Sequence, residues 1–165
     1  MLRRTSGFTL LEAAFVLAVA AIILAVAIPS YSHYMQRLEL RQAAEALTQD
    51  LRNARELSVS SNKPIFVNFR TGRPWCWGIS RGQPCDCAGI SPMPACSIKQ
   101  TDSKLFPDVI LDTAQDIELR PLLGQVERAG SAGMRNRQGN KIWVLLNAMG
   151  RVSVCGPDSN GGTPC

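Results

Sequence analysis

Six cysteines hold most of the chemistry open to this chain: Cys76, Cys85, Cys87, Cys96, Cys155 and Cys165. The first four follow one another at intervals of nine, two and nine residues. Four thiolates suffice for a closed tetrahedral zinc site, but the usual paired C-x₂₋₄-C knuckles are absent. Cys85-Asp86-Cys87 could act as a redox pair, although no Cys-x-x-Cys opens a helix here. An even count in a chain bound for an oxidising compartment points to structural disulfides. Cys155 and Cys165 are expected to pair, closing the Gly- and Pro-rich tail onto the last strand. Cys85 and Cys87 are too close to pair comfortably. That leaves Cys76–Cys85 with Cys87–Cys96, or Cys76–Cys87 with Cys85–Cys96.

Catalysis has little to work with. His33 is the only histidine, and there is no glycine-rich phosphate loop. No catalytic residue, resident metal or cofactor is expected, and the chain does not read as an enzyme. Cations are more plentiful, with 18 Lys and Arg against 13 Asp and Glu, a net charge of +5. Arg135, Arg137 and Lys141 cluster in "MRNRQGNK", which reads as a hairpin loop, with Arg128 and Arg151 expected near the same end. Such a tip could hold a DNA phosphate backbone without reading sequence. The plainer reading is a solvated turn rich in Gly and Asn.

Positioning these groups falls to a small set of elements. Arg3 and Arg4 precede an apolar run from Phe8 to Ile28, broken only by Thr9 and Glu12. A run of this length can span a bilayer as a helix, and the basic residues orient its start toward the cytoplasm. "AIPSY" makes a poor signal-peptidase site, so the segment is expected to stay with the mature protein. Glu12 is then costly, roughly 2.5–3.5 kcal/mol for a carboxylate at a membrane-helix centre.

Pro29 is expected to kink the helix. Beyond it, Leu40, Ala44, Leu47, Leu51 and Ala54 recur at three- and four-residue spacing and mark one face. Glu39, Arg41, Glu45, Gln49, Asp50 and Arg52 fill most of the other positions, and the helix should end near Ser58–Asn62, ahead of Lys63-Pro64. Strand-like runs follow: "PIFVNF", "WCWGIS", "KLFPDVILD", "DIELRPLL", "KIWVLLN" and "GRVSVC". "GQPCDCAGISPMPAC" is too rich in Pro and Gly for regular structure. Trp75, Trp77 and Trp143 read as packing aromatics. A helix followed by antiparallel strands is an α+β arrangement.

"GFTLLE", Gly7 to Glu12, ahead of a long apolar helix with Pro29, resembles the class III signal of type IV pilins and type II secretion pseudopilins. The resemblance implies cleavage between Gly7 and Phe8 by a prepilin peptidase and N-methylation of Phe8. It makes Glu12 the fifth mature residue, which in that family pairs with the N-terminal amine of a neighbouring subunit during assembly. "WCWGIS", the "PCDC…C" cluster, "RNRQGNKIWVLLNAMGRV" and the ending "CGPDSNGGTPC" resemble the GspH/FimT branch, more its FimT/FimU-like minor pilins than pseudopilin H. DNA-binding members of the FimT group carry Gly-Arg-x-Arg near the last strand; here Gly150-Arg151-Val152-Ser153 lacks the second arginine.

The resemblance implies a pilin fold, in which a long N-terminal helix, its first half transmembrane, packs on a small antiparallel β domain with disulfide-stapled loops. The expected organisation is a cleaved basic leader over 1–7, a transmembrane and filament-core helix over 8–28, an amphipathic half-helix over 29–62 and a β domain over 63–165. The implied function is that of a minor pilin priming assembly or forming the tip of a type IV pilus. The alternatives are a secretion pseudopilin H and a DNA-binding tip subunit for natural transformation. Expected partners are other minor and major pilins, the peptidase, the inner-membrane assembly platform and, in the last case, DNA. The expected location is the bacterial inner membrane, with the C-terminal domain in the periplasm, and then the filament.

Overall fold

The computed structural model describes residues 9–121 and 126–156, apart from the side chains of residues 26–29. Gly7, Phe8 and Cys165 lie outside the described residues. The chain divides into two compact units, one ending at Met35 and the other beginning at Gln36. Helix α1, Leu10–Ser61, contributes to both and passes Pro29 without a break.

In the first unit the helix shows its apolar side chains to the surroundings. Leu10, Leu11, Phe15, Leu17, Ile22 and Ile23 are all more than 60% exposed. The helix is long and apolar enough to cross a membrane. Water would penalise this much bare hydrocarbon, whereas lipid or packed helices would not.

In the second unit the expected stripe is buried. Leu40, Ala44, Leu47, Leu51 and Ala54 are each at most 1% exposed, and Ala43 joins them. The helix stops where Asn62 takes a left-handed backbone (φ 48°), a role asparagine fills with little strain. Ser58 is fully buried near that end, its hydroxyl 3.2 Å from the carbonyl oxygens of Lys63 and Leu119.

Among the described residues nine strands follow: β1 (Ile65–Arg70), β2 (Cys76–Arg81), β3 (Lys99–Asp102), β4 (Val109–Ala114), β5 (Ile117–Leu119), β6 (Val126–Arg128), β7 (Gly130–Asn136), β8 (Lys141–Leu146) and β9 (Val152–Cys155). They form two sheets, ordered β3-β2-β1-β5-β6 and β4-β7-β8-β9, with every strand pair antiparallel. Alternation sets the inner faces. Ile65 and Val67 of β1, Ile117 and Leu119 of β5, and Ile142, Val144 and Leu146 of β8 point into one core shared with α1. Trp75 and Trp77 stack at 5.3 Å between ring centroids and are at most 1% exposed. Trp143 is only half-buried.

The structure corrects the strand reading in three places. "KLFPDVILD" is not one strand: its first residues form turns and β4 starts at Val109. The described residues of "DIELRPLL" supply the three residues of β5. "GSAGMRN" is a full strand, β7, paired on both sides. Its two glycines are the reason it folds so. A Cβ on Gly133 would lie 2.8 Å from the Trp143 ring across the ladder, and one on Gly130 would lie 2.6 Å from Ile117. Bare backbone is what these two neighbours leave room for.

Candidate functional site

At the start of α1, Thr9 caps the helix. Its Oγ1 accepts the Glu12 backbone N–H at 3.2 Å, and its carbonyl accepts that of Ala13 at 3.1 Å. Thr9-x-x-Glu12 is capping-box spacing, and the carboxylate sits where the helix dipole favours negative charge. Glu12 is exposed, and among the described residues no cation lies within ion-pair distance of it. His33 is also exposed.

The cysteine cluster resolves into Cys76–Cys87 and Cys85–Cys96, one of the two pairings left open by the sequence. The two 11-residue loops overlap at Cys85-Asp86-Cys87 and staple residues 82–98 across the outer face of β2. Gly78 makes this possible, because a Cβ there would strike Cys96 Sγ. Asp86 organises the loop tip: its carboxylate accepts the backbone N–H groups of Ala88 (2.8 Å), Ile90 (2.7 Å) and Ser91 (2.6 Å). Those donors, Ser91 first and then Ala88, hold the carboxyl well below the usual carboxylate range. Asn68 Oδ1 accepts the Cys85 N–H at 3.0 Å, tying the loop to β1. All four sulfurs are engaged in these two disulfides. Cys155 is also disulfide-bonded, and Cys165 lies outside the described residues.

The cation cluster does not assemble as expected. Arg135 is a β7 residue directly opposite Lys141, and its Nε donates to Asp112 at 3.3 Å. Arg137 pairs with Asp108 at 2.9 Å. Arg151 belongs to the turn at the far end of β8, where the Asn147 carboxamide accepts the N–H groups of Met149 (3.1 Å) and Arg151 (2.9 Å). Five strand steps from Lys141 to Leu146 put roughly 17 Å between the two ends. Arg128 precedes Gly130, which pairs with Leu146, so it also belongs to the far end. The five cations therefore form two groups, and two members of the first are matched by carboxylates.

A buried carboxylate on the helix was missed. Asp50, read among the solvated positions, is 1% exposed. Its Oδ2 accepts the Trp77 indole N–H at 2.9 Å, and its Oδ1 accepts from the Lys99 ammonium at 2.6 Å. A second tie runs from Glu39, whose Oε1 accepts the Asp108 backbone N–H at 3.0 Å. The only local signal was that Asp50 adjoins the stripe residues Leu47 and Leu51.

No protein-family model matches the sequence, and no curated protein matches it. Solved structures do match. The crystal structure of the type IV minor pilin FimU from Pseudomonas aeruginosa PAO1 gives a TM-score of 0.54 at 16% identity, covering 77% of this chain and 95% of that one. A second crystal form of FimU gives 0.52 at 15%, over 73% and 95%. The minor pseudopilin EpsH of the Vibrio cholerae type 2 secretion system gives 0.51 at 15%, over 73% of this chain and 99% of that one. The chain has the fold of these structures.

Proposed function

We propose that the chain is a minor pilin of a type IV pilus, a structural subunit that primes assembly or forms the filament tip with other minor and major pilins. The observation that carries this is the conjunction of a FimU-like fold with Gly7-Phe8-Thr9 and Glu12 at the head of an exposed apolar helix. The prepilin peptidase cuts between Gly7 and Phe8, and Phe8 is N-methylated. Residues 8–28 hold the subunit in the inner membrane, with the β domain in the periplasm, until the assembly platform extracts it. Glu12 is then a carboxylate whose cost in lipid falls when the amine of a neighbouring Phe8 arrives.

The test is intact-mass measurement of the membrane form. The expected mass begins at a methylated Phe8, and Gly7→Val should leave the precursor whole. A wild-type mass that still includes Met1–Gly7 would defeat the assignment. A pseudopilin of type II secretion is the second reading, favoured by the EpsH likeness at nearly the same score. Deletion separates the two: loss of surface pili with secretion intact supports the pilus, and the converse supports the pseudopilus.

A further inference from the structure

The outer face of the first sheet carries a row of directly opposed residues across four strands: Ser80 on β2, Phe66 on β1, Glu118 on β5 and Arg128 on β6. The stapled loop covers β2 and is tied to β1 at Asn68. Among the described residues two adjoining hollows lie beside it, one of about 590 Å³ where β1 and β4 approach and one of about 240 Å³ over the outer face of β1 and β5; they share Asp116 and Arg128. Phe69, Ala114 and Ala129 line the first; Phe66, Pro84 and Met93 line the second.

The charges in this groove are unequally engaged. Asp116 accepts the Phe69 N–H at 2.9 Å and the Asn68 amide at 3.0 Å, so both its oxygens are used by β1. Glu118 and Glu127 both turn to Arg120, at 3.7 and 3.1 Å. The Arg128 side chain is exposed, and its guanidinium has no hydrogen bond or ion pair among the described residues. A guanidinium offers five donors in a planar fork that suits a carboxylate. Beside it, the loop wall presents Pro84 and Met93, the latter 46% exposed. Two disulfides and the Asp86 contacts hold that wall in place before anything binds, which lowers the entropy cost of docking on it.

We propose that this groove is a docking site for an extended segment of a partner protein, which lays an apolar side chain between Phe66 and Met93 and a carboxylate on Arg128. Phe66 and Met93 supply contact area, and Arg128 supplies orientation. The proposal does not depend on which filament, if any, the chain enters.

The test uses the full chain in detergent micelles, with methyl-labelled methionine and two fluorescent hexapeptides, acetyl-Gly-Leu-Phe-Glu-Leu-Gly-amide and its Gln counterpart. The Met93 methyl, identified through Met93→Leu, should shift saturably with the Glu peptide. By polarisation the Glu peptide should bind about tenfold tighter than the Gln peptide, the value of one charge-assisted pair. Arg128→Gln should abolish that preference while leaving the other methyl resonances in place, which separates lost docking from lost folding. Equal binding of the two peptides, a preference that survives Arg128→Gln, shifts confined to Met35 or Met149, or no saturable Met93 shift up to millimolar peptide would each overturn the proposal.

Discussion

Replacing Asp50 should reveal how the helix is held to the sheet. The Asp50 side chain is 2% exposed and the Lys99 side chain 50%, so the pair straddles the boundary of the core. Asp50→Ala strands the Trp77 N–H in a fully buried position, which costs about 1–3 kcal/mol, and also removes the lysine's partner. A total near 3 kcal/mol is expected. Asp50→Asn keeps an oxygen for Trp77 and loses only the attraction to a half-exposed lysine, which solvent screens, so about 1 kcal/mol is expected. Lys99→Met leaves a buried carboxylate with Trp77 as its remaining partner. A fully buried broken pair costs about 3–5 kcal/mol; water reaching the exposed side of this one should bring that down to about 2. Urea unfolding of the full chain in micelles, disulfides intact, measures all three. On a unit of about 130 residues each kcal/mol is worth about 3–5 °C in Tm. The double variant Asp50→Asn with Lys99→Met should cost less than the sum of the singles, since each removes the same attraction. If Asp50→Asn proves as damaging as Asp50→Ala, or if Asp50→Ala falls within 0.5 kcal/mol of wild type, the indole-to-carboxylate bond is not what holds the helix.

Gly78→Ala should drive its new methyl into Cys96 Sγ, and non-reducing peptide mapping should then recover free thiol at Cys85 and Cys96. Asp86 gives a pH signature of definite sign. Its folded pKa is depressed, so its hold on the loop is complete above the ordinary aspartate pKa of about 3.9 and is lost as pH falls through the folded value. Amide protection at Ala88, Ile90 and Ser91, corrected for intrinsic exchange, should decline below about pH 4 in wild type. In Asp86→Asn it should be weaker and independent of pH. Glu12→Ala should leave membrane insertion unchanged and lower the subunit's content in sheared filaments; wild-type incorporation would remove the pairing role assigned to it.

What could be read in the sequence depends on how local its cause is. The helix stripe from Leu40 to Ala54 and the stop near Asn62 follow from spacing and from Lys63-Pro64, and both appear where expected. β8 follows from the alternation in "KIWVLLN", and the tight connection Ala148-Met149-Gly150 from Gly150, whose φ of 75° suits glycine. β7 was invisible for the opposite reason. "GSAGMRN" has the composition of a loop; its pairing with β4 and β8 makes it a strand, and Trp143 and Ile117 leave room there for glycine alone. The misplacement of Arg151 has the same origin: proximity to "MRNRQGNK" in sequence does not say that β8 lies between them and sends the two turns to opposite ends.

The two acidic residues of α1 make the point sharply. Glu12 declares itself because an apolar run of membrane length has no local use for a carboxylate. Its company within one turn is a cap at Thr9, and among the described residues no cation pairs with it. Asp50 sits in an amphipathic segment where a carboxylate at any position can be excused as solvated. Its partners, Trp77 and Lys99, are 27 and 49 residues away. No helical periodicity could assign it to the core, because an ionised side chain is admitted there only after both partners are in place. The acid that looked out of place carries its reason outside the single chain, under the reading proposed above. The acid that looked ordinary carries its reason inside the domain, and only the packed sheet reveals it.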